Sequence, residues 1–248
     1  MNGPQTARTP SWQRPDLVST FLRERRTVLP LLEVQEDVVR RLLERNPHRF
    51  TRFLDVGGGD GAMSELVLSL DSQARAVLVD FSAPMLEGAR KRLAAYPDRW
   101  QLVYADLSDP GWHAQLPGGP YGAAVSALAI HHLSSARKRA LFVELHELLE
   151  PGAIFVNMDH VAIDGPLRGV WEEQMVANAV HAEHRRGGSR SAAEIERELF
   201  DDDEDDRPDS VEEQVRWLRE AGFEQVEVNF KWAEAAIFGA VKPGEGGG

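Results

Sequence analysis

The chain contains no cysteine. That absence removes disulfides, thiolate metal ligands and a cysteine nucleophile together, and it suits a reducing compartment. Nothing in the sequence approaches the run of about 18 apolar residues that a membrane span needs. The N-terminal stretch also lacks the apolar centre of a secretory leader. The expected setting is therefore cytoplasmic and away from membranes. Basic side chains are in short supply as well. Lys and Arg number 28 against 40 Asp and Glu, giving a formal net charge of −12. A nucleic-acid groove needs clustered cations to displace counterions, so this balance disfavours such a partner. The one local cluster, Arg23-Glu24-Arg25-Arg26, reads as a solvated helix face.

What is present is enough for a sizeable core. The 248 residues, 42% hydrophobic, suit one large α/β domain. After a polar start, residues 11–46 carry helical spacing. Leu17, Phe21 and Leu22 form one stripe, Pro30 interrupts it, and Leu31, Val34, Val38, Leu42 and Leu43 resume it. Strand and helix signals then alternate. Strands are expected at 51–56, 74–79, 101–105, 123–128 and 154–158. The helices between them include one opened by Ser82 with Pro84 in its first turn, and one from Ser134 to the Pro151-Gly152 break. Alternation of this kind implies a parallel sheet covered on both faces and, with right-handed crossovers, a doubly wound topology. From 164 to 200 the pattern is helical but polar, which reads as an inserted helix pair, with Ser191 and Glu194 as a capping box. The acidic run 201–206, DDDEDD, reads as an exposed loop rather than a calcium site, whose ligand spacing it lacks. A further helix opens at Ser210 and ends at Gly222. Two strands, 223–230 and 235–241, close the chain as an antiparallel pair at the sheet edge.

The stretch FLDVGGGDGAMSELV, 53–67, places four glycines between a strand and a helix. Such a loop brings free N–H groups and a helix N-terminus to a polar ligand. Gly57, Gly59 and Ala62 match the dinucleotide fingerprint, and Asp80 stands about 20 residues further on, where a carboxylate meets ribose hydroxyls. Both features suit a nicotinamide cofactor.

A second reading accounts for more residues. Asp55-Val56-Gly57-Gly58-Gly59-Asp60-Gly61 resembles the glycine motif of class I S-adenosylmethionine-dependent methyltransferases. Asp80-Phe81-Ser82 resembles that family's ribose-binding acid and its neighbour, and Asp106-Leu107 its adenine-reading strand end. The stretch 126–133, SALAIHHL, resembles its fourth-strand signature, and 149–153, LEPGA, its turn into strand five. The similarity runs from about Arg52 to Lys242, and the final 207–242 also looks like relatives of the tRNA wobble-uridine carboxymethyl-forming enzymes.

The resemblance implies a Rossmann-like seven-stranded sheet, parallel with one antiparallel edge strand, carrying an N-terminal helical cap and a helical insertion after strand five. It implies one methyltransferase domain over 1–248: a cap to 48, a cofactor-binding core at 49–160, the insertion at 161–208 and a C-terminal helix and hairpin at 209–242. The implied cofactor is S-adenosyl-L-methionine, leaving as S-adenosyl-L-homocysteine. It would be held by Asp55, Gly57, Gly59, Gly61, Asp80, Phe81, Met85, Asp106, Leu107 and Ala127. Asp55 would hold the ligand's ammonium and repel a pyrophosphate. Asp80 would take both ribose hydroxyls, since a carboxylate accepts at two oxygens.

The reaction expected is in-line methyl transfer to a small molecule, carried mainly by proximity. His131 and His132 past strand four, with Asp159 and His160 past strand five, are the candidate catalytic groups, a neutral imidazole being suited to proton removal near pH 7. No metal is expected. Trp12, Phe21, Trp171, Met175 and Trp232 are candidate apolar lining for an acceptor, and Arg25 and Arg26 candidate partners for a carboxylate. His181 and His184 share a helix face and are expected to be solvated. An NAD(P)-dependent oxidoreductase and a catalytically silent cofactor-binding module remain the alternatives. The acceptor atom and the oligomeric state stay open, a homodimer included.

Overall fold

The computed structural model describes Gln13, Leu29 and residues 31–163, 165–166, 168–200 and 206–244. Trp12, Leu17, Phe21, Leu22, Arg25 and Arg26, the acids at 201–205 and the glycine tail at 246–248 lie outside the described residues.

In chain order the elements are α1 (Leu32–Arg45), β1 (Arg52–Val56), α2 (Ala62–Leu70), β2 (Arg75–Asp80), α3 (Ala83–Arg92), β3 (Trp100–Tyr104), β4 (Tyr121–Ala127), α4 (Ser135–Leu148) and β5 (Leu149–His160). They continue with α5 (Arg168–Arg185), α6 (Ala192–Phe200), α7 (Val211–Glu220), β6 (Glu224–Trp232) and β7 (Ala235–Val241). Seven strands form one sheet in the order β3-β2-β1-β4-β5-β7-β6. The first five are parallel, and β7 runs antiparallel to β5 on one side and β6 on the other. The antiparallel strand is thus slotted inside the sheet, and β6 forms the outer edge. Two register shifts along β6 break its regular pairing, a common way to blunt an exposed edge.

Strand side chains alternate between faces, and each face is buried by a different set of helices. Leu54, Val56, Val77, Val79, Phe155 and Phe238 pack with Leu141 and Leu145 of α4 and with Val215, Trp217 and Leu218 of α7. Phe53, Ala76, Leu78, Val125, Val156 and Ile237 pack on the opposite face with Val39 and Leu43 of α1, Met63 and Val67 of α2 and Leu86 of α3. No helix among the described residues is long and apolar enough to cross a membrane.

Local signals set several helix starts. Ser82 accepts from the Met85 N–H and Ser134 from the Arg137 N–H, both at 3.3 Å. At α6 the box is reciprocal: Glu194 accepts from the Ser191 N–H at 2.7 Å and Ser191 from the Glu194 N–H at 3.3 Å. Strand β5 is longer than the sequence suggests. Pro151-Gly152 looks like a break, yet the chain stays paired through it. The Gly152 N–H bonds to the Lys242 carbonyl at 2.9 Å, and the Lys242 N–H to the Ala153 carbonyl at 2.8 Å. The Lys242 ammonium also donates to the His146 and Leu149 carbonyls, each at 2.8 Å. Those bonds satisfy the C-terminus of α4 and let it pass into β5 without a loop.

Phe238 is fully buried in the inserted strand. Replacing it with alanine is expected to cost about 3–5 kcal/mol, as large-to-small changes in well-packed cores do. Urea denaturation followed by circular dichroism measures that loss.

Candidate functional site

A cleft of about 370 Å³ opens at the C-terminal ends of the parallel strands, where open α/β sheets bind ligands. Its floor is the glycine loop. Gly57, directly after β1, has φ 65°, and a Cβ there would stand 2.3 Å from the Ala129 side chain. Only glycine serves at that position, on backbone and space together. The Gly58 N–H bonds to the Val79 carbonyl at 3.0 Å, tying the loop to β2.

Asp80, at the end of β2, faces the cleft. Its carboxylate accepts from the Gly59 N–H at 2.9 Å and the Ser82 N–H at 2.7 Å, one on each oxygen. Burial pushes its pKa up, with the N–H groups of Ser82, Gly59 and Phe81 working against that rise. Two carboxylate oxygens offer about four lone-pair sites, which leaves room for a diol beside these amides. Phe81, Ser82 and Met85 continue this wall. Beyond β3, Asp106 lines the cleft, with Oδ1 accepting from the Ser108 N–H at 2.8 Å. Leu107 follows, and its carbonyl accepts from Arg137 at 2.6 Å. The Arg137 guanidinium is further committed to Glu144 at 2.9 and 2.7 Å. Ala127, Leu128 and Ala129 close the β4 side.

Eight of the ten residues expected to hold a cofactor therefore border the cleft: Gly57, Gly59, Asp80, Phe81, Met85, Asp106, Leu107 and Ala127. Asp55 and Gly61 do not. Asp55 is wholly buried, and its Oδ2 accepts from the Ser64 hydroxyl at 2.6 Å. It braces the loop against α2, strand alternation turning its side chain toward the α2 face, and does not itself border the cleft. Gly61 caps α2 at φ 78° and sits against Leu93 and Ala89. Of the suggested acceptor lining, Trp171 and Trp232 meet each other edge-on at 6.4 Å and Met175 is buried; none of the three borders the cleft. His181 and His184 are exposed on α5.

The four candidate catalytic residues gather at the β4–β5 end. His131 and His132 lie in a 3₁₀ turn, Ile130–His132, reached through Leu128 at φ 52°. Asp159, near the end of β5, is 2% exposed. It accepts from His131 Nδ1 at 2.5 Å, the His131 N–H at 3.1 Å, the Asn157 amide at 3.3 Å and the His160 N–H at 2.9 Å. The His160 ring stacks on His131 at 5.1 Å. Asp206, part of the acidic run read as a plain exposed loop, turns inward. Its Oδ1 lies 3.2 Å from His131 Nε2 and 2.9 Å from His132 Nδ1. Sequence reasoning missed it because nothing local distinguishes it from its acidic neighbours.

Burial opposes a charge on His131, but Asp159 and then Asp206 outweigh it and raise the imidazole pKa to about 10. Asp159 is correspondingly held below the usual carboxylate range: burial would raise it, and charged His131 prevails. His131 is thus drawn toward its charged form, with Nδ1 bonded to Asp159 and Nε2 3.2 Å from the Asp206 carboxylate, an arrangement that does not favour the neutral imidazole base expected there. The ligand atoms of His131, His132 and Asp206 lie within 4.8 Å of one another, a grouping the sequence, read as holding no metal, did not suggest. Among the four, His132 alone borders the cleft. Asp159 and His131 are buried behind it.

Residues 53–152 match a family described as "Methyltransferase domain". A demethylmenaquinone methyltransferase of Clavibacter sepedonicus is 31% identical over 194 residues, 77% of this chain and 74% of that one. A carboxy-S-adenosyl-L-methionine synthase of Pseudomonas putida is 26% identical over 181 residues, 71% of this chain and 70% of the relative. The chain spans 45% of the length of an uncharacterized methyltransferase of Mycobacterium tuberculosis, at 35% identity over 99 residues, 40% of this chain. Among solved structures, an O-methyltransferase family protein from Burkholderia thailandensis superposes with a TM-score of 0.64 at 15% identity, over 93% of this chain and 60% of that one. That last likeness concerns the fold.

The His131 charge stabilises the fold below the free imidazole pKa of 6.5 and fades as pH climbs through about 10. Asp159→Asn removes its main counter-charge. The His131 ring, followed by NMR, is then expected to titrate well below its wild-type value. Stability at pH 7 is expected to fall by about 3–5 kcal/mol, as when one partner of a buried pair is removed.

Proposed function

The chain belongs to the class I S-adenosylmethionine-dependent methyltransferases, and from that membership we propose that it moves a methyl group from S-adenosyl-L-methionine to a small-molecule acceptor. The observation that carries the reading is Asp80. A buried carboxylate is presented into the cleft by an amide of the glycine loop itself, at 2.9 Å. That arrangement accepts hydrogen bonds from a ribose diol. The diol contact alone would also suit a dinucleotide; it is the match to methyltransferases that weighs against the nicotinamide alternative.

Bound there, the cofactor supplies an electrophilic methyl on a sulfonium, a leaving group that departs as the neutral thioether of S-adenosylhomocysteine. The protein's part is orientation. Asp80 accepts from the ribose hydroxyls, Asp106 from the exocyclic amine of adenine, and Gly57 to Gly59 let the backbone come close. Phe81, Met85, Leu107 and Ala127 contribute apolar walls. Holding two reactants in line supplies on the order of 7–11 kcal/mol of the barrier. His132, at the cleft surface, takes the acceptor's proton where one must leave, worth about 10² to 10⁴-fold. The Asp206 carboxylate lies 2.9 Å from its Nδ1, and His131 sits behind it.

Calorimetry with S-adenosylhomocysteine and NADH tests the assignment. The homocysteine product is expected to bind and NADH is not; tight binding of NADH alone would reverse the conclusion. Asp80→Ala is expected to weaken S-adenosylhomocysteine by about 1.5–3 kcal/mol, the range for a hydrogen bond to a charged group, and an unchanged affinity would remove Asp80 from the site.

A further inference from the structure

The segment leading into α7 is tied down far more heavily than a polar connection requires. The Asp206 carboxylate meets His131 and His132. The Arg207 N–H donates to the His131 carbonyl at 3.0 Å. Fully buried Lys138 donates to the Arg207 carbonyl and, at 2.6 Å, to the Asp209 carboxylate. Ser135 bonds the other Asp209 oxygen at 2.8 Å, and the Ala162 N–H bonds the Asp209 carbonyl at 3.0 Å. Pro208, between them, restricts the backbone further.

The residue of this strap that borders the cleft is Arg207. Its guanidinium has no ion-pair partner among the described residues. That contrasts with Arg137 in the same wall, whose guanidinium Glu144 holds with two bonds. In a chain of formal net charge −12, an exposed arginine fixed at the rim of the cleft and left without a carboxylate among the described residues points to an anion that arrives from outside. A guanidinium on an immobilised backbone loses little freedom when it grips a planar carboxylate with two parallel bonds.

Resting on the methyl-transfer reading above, we propose that Arg207 determines specificity by receiving a carboxylate of the methyl acceptor, which makes the acceptor a carboxylic acid. The position fits an acceptor contact. Arg207 is bonded to the exit of β4, beside His132. The carboxylates assigned to the cofactor stand at the ends of β2 and β3. A monoanion is favoured over a phosphate ester, because Asp80 and Asp106 in the same cleft repel a dianion about twice as strongly.

The test is calorimetric titration of the full chain with benzoate, benzamide and phenyl phosphate, each with and without saturating S-adenosylhomocysteine. Benzoate is expected to bind about tenfold or more tighter than benzamide, and phenyl phosphate no tighter than benzoate. Arg207→Gln is expected to abolish the benzoate advantage and Arg207→Lys to restore part of it, both with S-adenosylhomocysteine affinity unchanged. Benzoate no better than benzamide on the wild-type chain, undetectable binding of both included, would overturn the proposal. So would an advantage that survives Arg207→Gln, a preference for phenyl phosphate, or S-adenosylhomocysteine affinity falling in step with benzoate's, which would assign Arg207 to the cofactor. The titrations without S-adenosylhomocysteine read the anion preference alone. A chain that bound benzoate selectively but no S-adenosylhomocysteine would refute the methyl-transfer reading and leave this result standing.

Discussion

One buried carboxylate organises the open end of the sheet. Asp159 is out of water and collects four donors from β5 and from the turn after β4. A buried anion is costly unless a cation and further hydrogen bonds meet it. Here the cation is His131. A doubly protonated imidazole then needs an acceptor on its second nitrogen, and Asp206 supplies one from a segment remote in sequence. The first charge thus requires the second, and the second requires the third. The consequence is mechanical as well as electrostatic, since the β4 exit, the end of β5 and the entry to α7 are fixed relative to one another.

The cleft built on this frame has two unlike halves. Toward β2 and β3 it is acidic, with Asp80 and Asp106 set by local amide bonds. Toward β4 it carries His132 and Arg207, behind which His131 is compensated by its two carboxylates. The acidic half owes its form to short-range geometry: a glycine turn, a helix cap and an Asx turn. The other half depends on contacts between residues far apart in the chain. That difference bears on robustness, because the first survives as long as the strands do, while the second requires the strap to be docked.

The same division decides what could be read from the sequence. The glycine loop, the strand ends and the serine caps are local signals, so the sheet, its order of elements and the place of Asp80, Asp106 and Leu107 at the cleft were all legible. Asp55 was legible as important, but not its burial: the alternation of a strand sends it toward Ser64, away from the cleft lining. His131 and His132 are adjacent and looked equivalent. Burial separated them, and Asp159 determined which one is buried. Asp206 was hidden in a run whose composition signals solvation, since its partners stand some seventy residues earlier. Pro151-Gly152 misled as a stop signal because β7 supplies the missing pairing.

Charge gives the two halves a joint logic in the proposed reaction. The methyl donor carries one net positive charge, from its sulfonium, and is drawn to the acidic half. Transfer of the methyl leaves a neutral thioether, so the attraction to Asp80 and Asp106 weakens at the moment the bond is made. An acceptor carboxylate held by Arg207 lies toward the opposite side of the same low-dielectric space, and its charge attracts the sulfonium before transfer and not after. Both effects favour the donor complex over the product complex, which lets a site with several carboxylates bind its cofactor and still release what the cofactor becomes. The strap matters to this scheme because it keeps Arg207 and His132 in register: the residue that receives the acceptor's charge and the residue that receives its proton are anchored to the same turn of backbone.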